Sequence, residues 1–207
     1  MLTPARQRGV TLIEAMVVVV IMGVLMAMAA PNFGPWITGV RIRSTAESML
    51  AGLQYARSEA TTRNTQVRFQ TTTSLDSTCA RNTAGGNWVV DMVDNDPSDS
   101  VEGRCDAAPS DSTPPSILQV RSASETGNGV VIGATTSQVV FNGLGRQVAI
   151  APAAAAPTVT IDITPVATRG SCAASGGKIT CLRIVVTPGG LVRMCNPAAA
   201  LSDPQAC

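Results

Sequence analysis

The chain has 207 residues, with 15 Lys and Arg against 14 Asp and Glu, a formal charge of +1 and no histidine. The near-zero charge excludes a protein that binds nucleic acid through bulk positive charge. The lack of histidine excludes Ser-His-Asp and Cys-His catalysis, as well as zinc sites that contain histidine.

The N-terminal region combines a polar leader with a long apolar segment. Residues 1–9 carry Arg6 and Arg8, and residues 10–30 contain a single charge, Glu14. A helix of this length spans about 30 Å, the thickness of the hydrocarbon core of a bilayer. Basic residues before the segment favour a cytoplasmic leader, so the pattern predicts a single-pass membrane helix with the rest of the chain on the far side.

Two processing hypotheses follow from this segment. An ordinary secretory signal would be cut after the small-x-small sequence at residues 27–29. Cleavage between Gly9 and Val10 would instead leave the apolar helix on the mature chain. Glu14 favours retention, because a carboxylate inside a membrane segment costs about 2.5–3.5 kcal/mol on insertion scales. A disposable signal has no use for that carboxylate, whereas a retained helix can pair it with a cation inside an assembly.

Residues 31–64 are predicted to continue the helix with one apolar face. Pro31 begins this region and is expected to loosen or break the helix. Apolar residues then recur at spacings of three and four, which is typical of an amphipathic helix. They are Ile42, Ala46, Met49, Leu50, Leu53, Ala56 and Ala60. The stripe lacks the sustained heptads of a coiled coil, so its expected partner is the rest of the same chain.

Residues 65–207 are predicted to form a β-rich body. Short runs of β-branched and aromatic residues alternate there with Asn, Gly and Pro. The predicted strands are Gln66–Gln70, Trp88–Val90, Ile117–Val120, Gly129–Ile132, Gln138–Phe141, Val148–Ile150, Thr158–Thr164, Ile179–Thr187 and Leu191–Met194. One long helix followed by many short strands predicts an α+β fold.

The residues Arg8-Gly9-Val10-Thr11-Leu12-Ile13-Glu14 resemble the class III leader of type IV pilins and type II secretion pseudopilins. The resemblance implies that a prepilin peptidase cuts after Gly9 and methylates the new amine of Val10, although the family usually has Phe at that position. It also implies that Glu14 neutralises the N-terminal amine of a neighbouring subunit. Pro31 matches the proline that marks a meltable segment in pilin helices.

Three elements of the body narrow the resemblance to minor pilins and pseudopilins of the GspH/FimT type. They are residues 86–90, residues 141–146 and the closing hairpin at 183–195. The implied fold is a pilin spine helix packed on a small antiparallel β-sandwich. The implied function is that of a minor type IV pilin that helps initiate and assemble the pilus near its tip. The alternatives are an H-type minor pseudopilin of a type II secretion system and a DNA-binding pilin for natural transformation.

The same resemblance implies the setting of the protein. The chain is expected in the bacterial inner membrane, with its body in the periplasm, and later in the filament. Its expected partners are other pilins or pseudopilins, the prepilin peptidase and the inner-membrane assembly platform. No enzymatic activity, cofactor or metal is expected, because the chain offers no nucleophile with a base and no phosphate loop.

The cysteines and the acidic stretch leave alternatives open. Six cysteines allow 15 pairings, of which the sequential one is the simplest. It would join Cys79 to Cys105, Cys172 to Cys181 and Cys195 to Cys207, each bridge contributing roughly 2–4 kcal/mol. The acidic residues between 91 and 111 could bind Ca²⁺, but they depart from the EF-hand pattern, so a solvated acidic loop is the preferred interpretation.

DNA binding in FimT-type relatives uses a C-terminal Gly-Arg-x-Arg stretch. The corresponding residues 190–193 retain only Gly190 and Arg193. Arg183, on the neighbouring predicted strand, could add a second phosphate contact. Because such binding depends on several phosphate contacts, two arginines make this the least favoured alternative. Arg193 is otherwise expected to be solvated or to contact Asp203.

Overall fold

The computed structural model describes residues 11–93, 100–125, 129–150 and 153–207, apart from the side chains of residues 29–32 and 125. A single long helix, α1, runs over Leu12–Arg63 and precedes the strands. The strands in the described residues are β1 Val67–Thr72, β2 Asn87–Met92, β3 Ile117–Arg121, β4 Val130–Ala134, β5 Gln138–Phe141, β6 Val159–Pro165, β7 Leu182–Val186 and β8 Val192–Cys195.

The strands form two antiparallel sheets of four. The first sheet has the order β3-β2-β1-β5 and the second has the order β4-β6-β7-β8. One face of each sheet packs with the second half of α1 in a shared hydrophobic core. The α+β prediction, a long helix packed on a small antiparallel sandwich, is therefore confirmed.

The apolar stripe predicted on the second half of α1 is the face that enters this core. Ile42, Leu53 and Ala60 are fully buried, and the buried stripe begins one turn earlier, at Thr38. The helix lies close against the first sheet at Gly52, where a side chain would collide with the rings of Phe69 and Trp88. Close packing of this kind explains why the stripe needs no second helix as its partner.

A second, smaller core lies on the opposite face of the first sheet. Val89 and Ile117 point away from α1 and pack against Val101 and the bridge between Cys79 and Cys105. The segment between β2 and β3 thus covers a sheet face that would otherwise meet water. This disulfide joins two loops that have few other apolar residues to hold them.

Most predicted strands lie within two residues of the observed ones, with two exceptions. The strand predicted at Val148–Ile150 is wrong: Gln147 forms an isolated bridge to Phe141, and the ladder ends once the Val148 N–H has bonded to the Val140 carbonyl. Pro152 and Pro157 follow in the sequence, and proline has no N–H to donate to a ladder. The strand predicted at Ile179–Thr187 begins only at Leu182, because Ile179 belongs to a loop closed by a disulfide.

The first half of α1 projects beyond the body. The helix axis bends by 57° between Leu12–Met28 and Phe33–Arg63. Pro31 lies between these two parts, and a proline inside a helix removes a hydrogen bond and kinks the axis. Neither part alone is long and apolar enough to cross a membrane, whereas the bent pair together passes that test of length and composition.

Candidate assembly surface

The projecting half of α1 presents an apolar surface that no other described part of the chain covers. All large apolar side chains described between Leu12 and Val40 are 39–79% exposed. Soluble proteins rarely leave a continuous apolar surface of this size in water, so it marks a membrane or protein contact. A helix that is apolar on every side is built to be buried on every side.

Glu14 is the one charged residue between positions 10 and 40 and lies in the first turn of α1. The Thr11 hydroxyl accepts a hydrogen bond from the Glu14 backbone N–H at 3.4 Å. Thr11 and Glu14 therefore have the spacing of a capping box, in which a Glu or Gln three residues after the cap favours helix initiation. This local position at the start of the helix is independent of the pairing with a neighbouring subunit that the family resemblance implies for Glu14. Gly9 and Val10 lie outside the described residues.

The three disulfides pair the cysteines in sequence order: Cys79–Cys105, Cys172–Cys181 and Cys195–Cys207. The last bridge folds the C-terminal tail back beside β8, where Asn196 forms a bridge with Ala206. Strand β8 is an edge of the second sheet, and a covered edge resists pairing with other chains. The bridges therefore hold loops and an edge, and buried Cys79, Cys105 and Cys181 also pack within the two cores.

The two arginines considered for DNA both have partners in the chain. Arg183 donates to both carboxylate oxygens of Asp162, at 2.7 and 3.0 Å, and these hydrogen bonds raise the pKa of its guanidinium. Arg193 donates to the carbonyl oxygens of Ala206 and Cys207 at 3.3 and 3.2 Å. The expected contact of Arg193 with Asp203 is replaced by these carbonyl contacts. Each arginine thus already spends two of its five N–H donors on partners within the chain.

The expectation of a solvated acidic loop between 91 and 111 is wrong for Asp91, whereas the side chain of Asp111 is 61% exposed. Asp91 lies on β2, is fully buried and pairs with Arg68 on β1. Glu102 pairs with Arg81 at 2.7 Å, and Asp111 pairs with Arg63 at the end of α1 at 3.2 Å. Asp94, Asp96 and Asp99 lie outside the described residues. Among the residues that the structure does describe, no cluster of three metal-ligating side chains occurs.

Two of the sequence elements that carry the family resemblance meet in space. The turn at 142–146 contacts the end of α1, where Arg57 donates to the Gly145 carbonyl oxygen at 3.1 Å. The turn of the closing hairpin packs on the same loop, since the Gln147 N–H bonds to the Pro188 carbonyl at 3.2 Å. A side chain at Gly190, whose φ is +83°, would strike the Gly145 carbonyl. The glycines thus let helix, first sheet and second sheet meet at one point.

Two family models match the chain, and one solved protein is similar to it. Residues 45–190 match the family model described as Type II transport protein GspH, and residues 4–30 match the prokaryotic N-terminal methylation motif. The type IV minor pilin FimU of Pseudomonas aeruginosa (strain PAO1) is similar in two crystal forms. One form is 17% identical, with a TM-score of 0.47, over 80% of this chain and 94% of that chain.

The second crystal form of FimU is 20% identical, with a TM-score of 0.44, over 80% of this chain and 98% of that chain. No curated protein matches the chain significantly. The GspH model alone spans more than half of the sequence. The chain therefore belongs to the GspH family of pilin-like structural proteins, which are not enzymes, and it carries their N-terminal methylation motif.

Proposed function

We propose that the chain is a minor type IV pilin that helps initiate and assemble the pilus as part of a tip-associated complex. It is made with the leader 1–9 and cut after Gly9, and the amine of Val10 is methylated. Residues 10–30 hold it in the inner membrane, with the body 65–207 in the periplasm, until the assembly platform moves it into the filament. Its partners are the prepilin peptidase and the other pilins.

The observation that carries the proposal is the exposed apolar half of α1, with one carboxylate in its first turn. Apolar packing holds such helices in a bundle, and the carboxylate sets their register by pairing with the amine of a neighbour. The methylation motif at residues 4–30 supports processing that keeps this helix on the mature chain. An H-type pseudopilin of a type II secretion system would share every one of these features, and the description of the GspH family model favours that alternative.

Mass spectrometry of the mature protein from its host tests the processing. We expect a chain that begins at N-methylated Val10, because cleavage after Gly9 is the route that keeps both the apolar helix and Glu14. A variant with Gly9 replaced by Val should retain the leader and accumulate in the membrane. A mature chain that begins at Ala30 or Pro31 would lack the spine helix and would contradict the proposal.

Deletion of the gene in its host distinguishes a role in a type IV pilus from a role in a type II secretion system. We expect fewer surface pili and impaired twitching, with type II secretion unchanged, and full recovery from a plasmid copy. Nucleation of a filament needs its minor subunits, so the number of pili should fall while the major pilin remains in the membrane. Intact pili combined with a loss of secretion would contradict the pilin proposal and identify the chain as a pseudopilin.

The described geometry gives DNA uptake no comparable support. Arg183 and Arg193 are held by Asp162 and by tail carbonyls, and their sheet face carries no aromatic side chain on which bases could stack among its described residues. Electrostatic binding also grows with the number of free cations that reach phosphates. We therefore restrict the proposal to assembly.

A further inference from the structure

A groove opens where the exposed part of α1 meets the loop closed by Cys172 and Cys181. Trp36, Val40 and Arg43 form its helix side, and Lys178 lies on its loop side, around a cavity of about 370 Å³. The residues that line it include two basic side chains and no acidic one. An apolar floor with a basic rim fits a partner that is apolar on one side and anionic at its surface.

The loop side of this groove is held rigidly. The Cys172–Cys181 bridge closes the loop, and buried Ile179 anchors it in the core. Within the loop, the Ala173 N–H bonds to the Ile179 carbonyl at 2.8 Å. Lys178, next to that anchor, is exposed and forms no hydrogen bond or ion pair with any residue in the described ranges. The fold thus holds the loop backbone at this position, while the charge of Lys178 has no partner among the described residues.

The helix side has the composition of a membrane interface. Trp36 is 66% exposed and lies six residues beyond Ala30, about 9 Å along a helix. With the first part of α1 along the membrane normal, the 57° bend before Trp36 makes its height above the hydrocarbon core smaller than this length. Trp36 then lies in the head-group layer, where Trp is enriched because its ring is apolar and its N–H is polar. Arg43 lies two turns further on, and long basic side chains reach back toward the head groups.

We propose that, before assembly, this groove docks the base of the body on the membrane surface. Trp36 lies among the head groups, and Lys178, together with Arg43, contacts the phosphates of anionic phospholipids. This inference rests on the proposed function, in which the chain is anchored in the membrane before assembly, and it assigns a lipid partner to the groove. Arg43 also pairs with exposed Glu47 at 2.9 Å, so Lys178 supplies the uncompensated charge of the groove.

Lys178 is the one lysine of the chain, which makes it a site-specific reporter. The full chain is placed in nanodiscs of phosphatidylcholine, with or without phosphatidylglycerol, and an amine-reactive reagent is added. The rate of Lys178 acylation is then followed by mass spectrometry. We expect phosphatidylglycerol to lower that rate about fivefold, the effect of one basic residue near an anionic surface. Trp36→Ser should remove most of this protection.

A matched control moves the reporter away from the groove. In the double variant Lys178→Arg, Arg146→Lys the charge is unchanged, and the lysine lies in the exposed turn that packs on the far end of α1. Its acylation should be equally fast in both lipids. Equal acylation of Lys178 in both lipids would overturn the docking and leave the anchor intact.

Two further outcomes separate the proposals. A chain that does not enter nanodiscs once detergent is removed would overturn the membrane anchor, and the proposed function with it. Protection of Lys178 that appears only when other pilin subunits are added, with no dependence on phosphatidylglycerol, would overturn lipid docking and assign the groove to a neighbouring subunit.

Discussion

Replacing Glu14 by Gln is expected to abolish association with neighbouring subunits while leaving the chain folded and in the membrane. In the proposed assembly, the Glu14 carboxylate pairs with the amine of an adjacent subunit within the apolar bundle. In the variant, the amine of the adjacent subunit loses its counter-charge inside the bundle. An unpaired charge in a membrane segment costs about 3 kcal/mol, so the variant should recover about a hundredfold less of its pilin partners. Co-purification from detergent-solubilised membranes measures the recovery of partner subunits, whether the chain belongs to a pilus or to a type II secretion system.

Thr11 separates the two roles of Glu14. Gln also satisfies the third position of a capping box, so Glu14→Gln removes the charge and keeps the local helix signal. Thr11→Ala removes the hydroxyl that accepts the Glu14 N–H and keeps the charge. We expect Thr11→Ala to retain most partner binding. If both variants lose binding equally, helix initiation is the role of Glu14, and charge pairing is wrong.

The features that depend on local sequence pattern were predictable. The sequence pattern predicts a helix over residues 10–64, and the helix is observed over Leu12–Arg63. It also predicts a strand at Gln138–Phe141, which is where β5 lies. Periodicity of three and four marks a helix face directly, and a charge inside an apolar run is visible without a structure. Those two signals carry the fold class and the candidate assembly surface.

The features that depend on tertiary pairing were not predictable. Trp36 and Lys178 lie far apart in the sequence, and only the loop closed by Cys172 and Cys181 brings them to one groove. The local sequence around Asp91 predicts an acidic loop. Its partner Arg68 lies 23 residues earlier, on another strand, so this pairing is not visible in the local pattern. A Trp just beyond an apolar segment was the one local signal for the groove, since this residue type favours membrane interfaces.

The two Arg–Asp pairs across neighbouring strands form a natural comparison of burial. Arg68 lies opposite Asp91 in the first sheet, and Asp162 lies opposite Arg183 in the second. Both arginines donate from Nε and from one terminal nitrogen to both carboxylate oxygens. The Asp91 side chain is 0% exposed, whereas that of Asp162 is 36% exposed. The same contact therefore sits in two different dielectric environments.

Arg68→Met is expected to lower the free energy of unfolding by about 3–5 kcal/mol, because it removes the guanidinium that pairs with the fully buried Asp91 carboxylate. Arg183→Met should cost at most about 1 kcal/mol, since water solvates the Asp162 carboxylate. Urea unfolding of the full chain in detergent, followed by the fluorescence of buried Trp88, measures both. Adding Asp91→Asn should recover much of the stability lost in Arg68→Met, because it replaces the buried carboxylate with a neutral amide. Equal losses for the two arginine variants would contradict the assignment of this difference to burial.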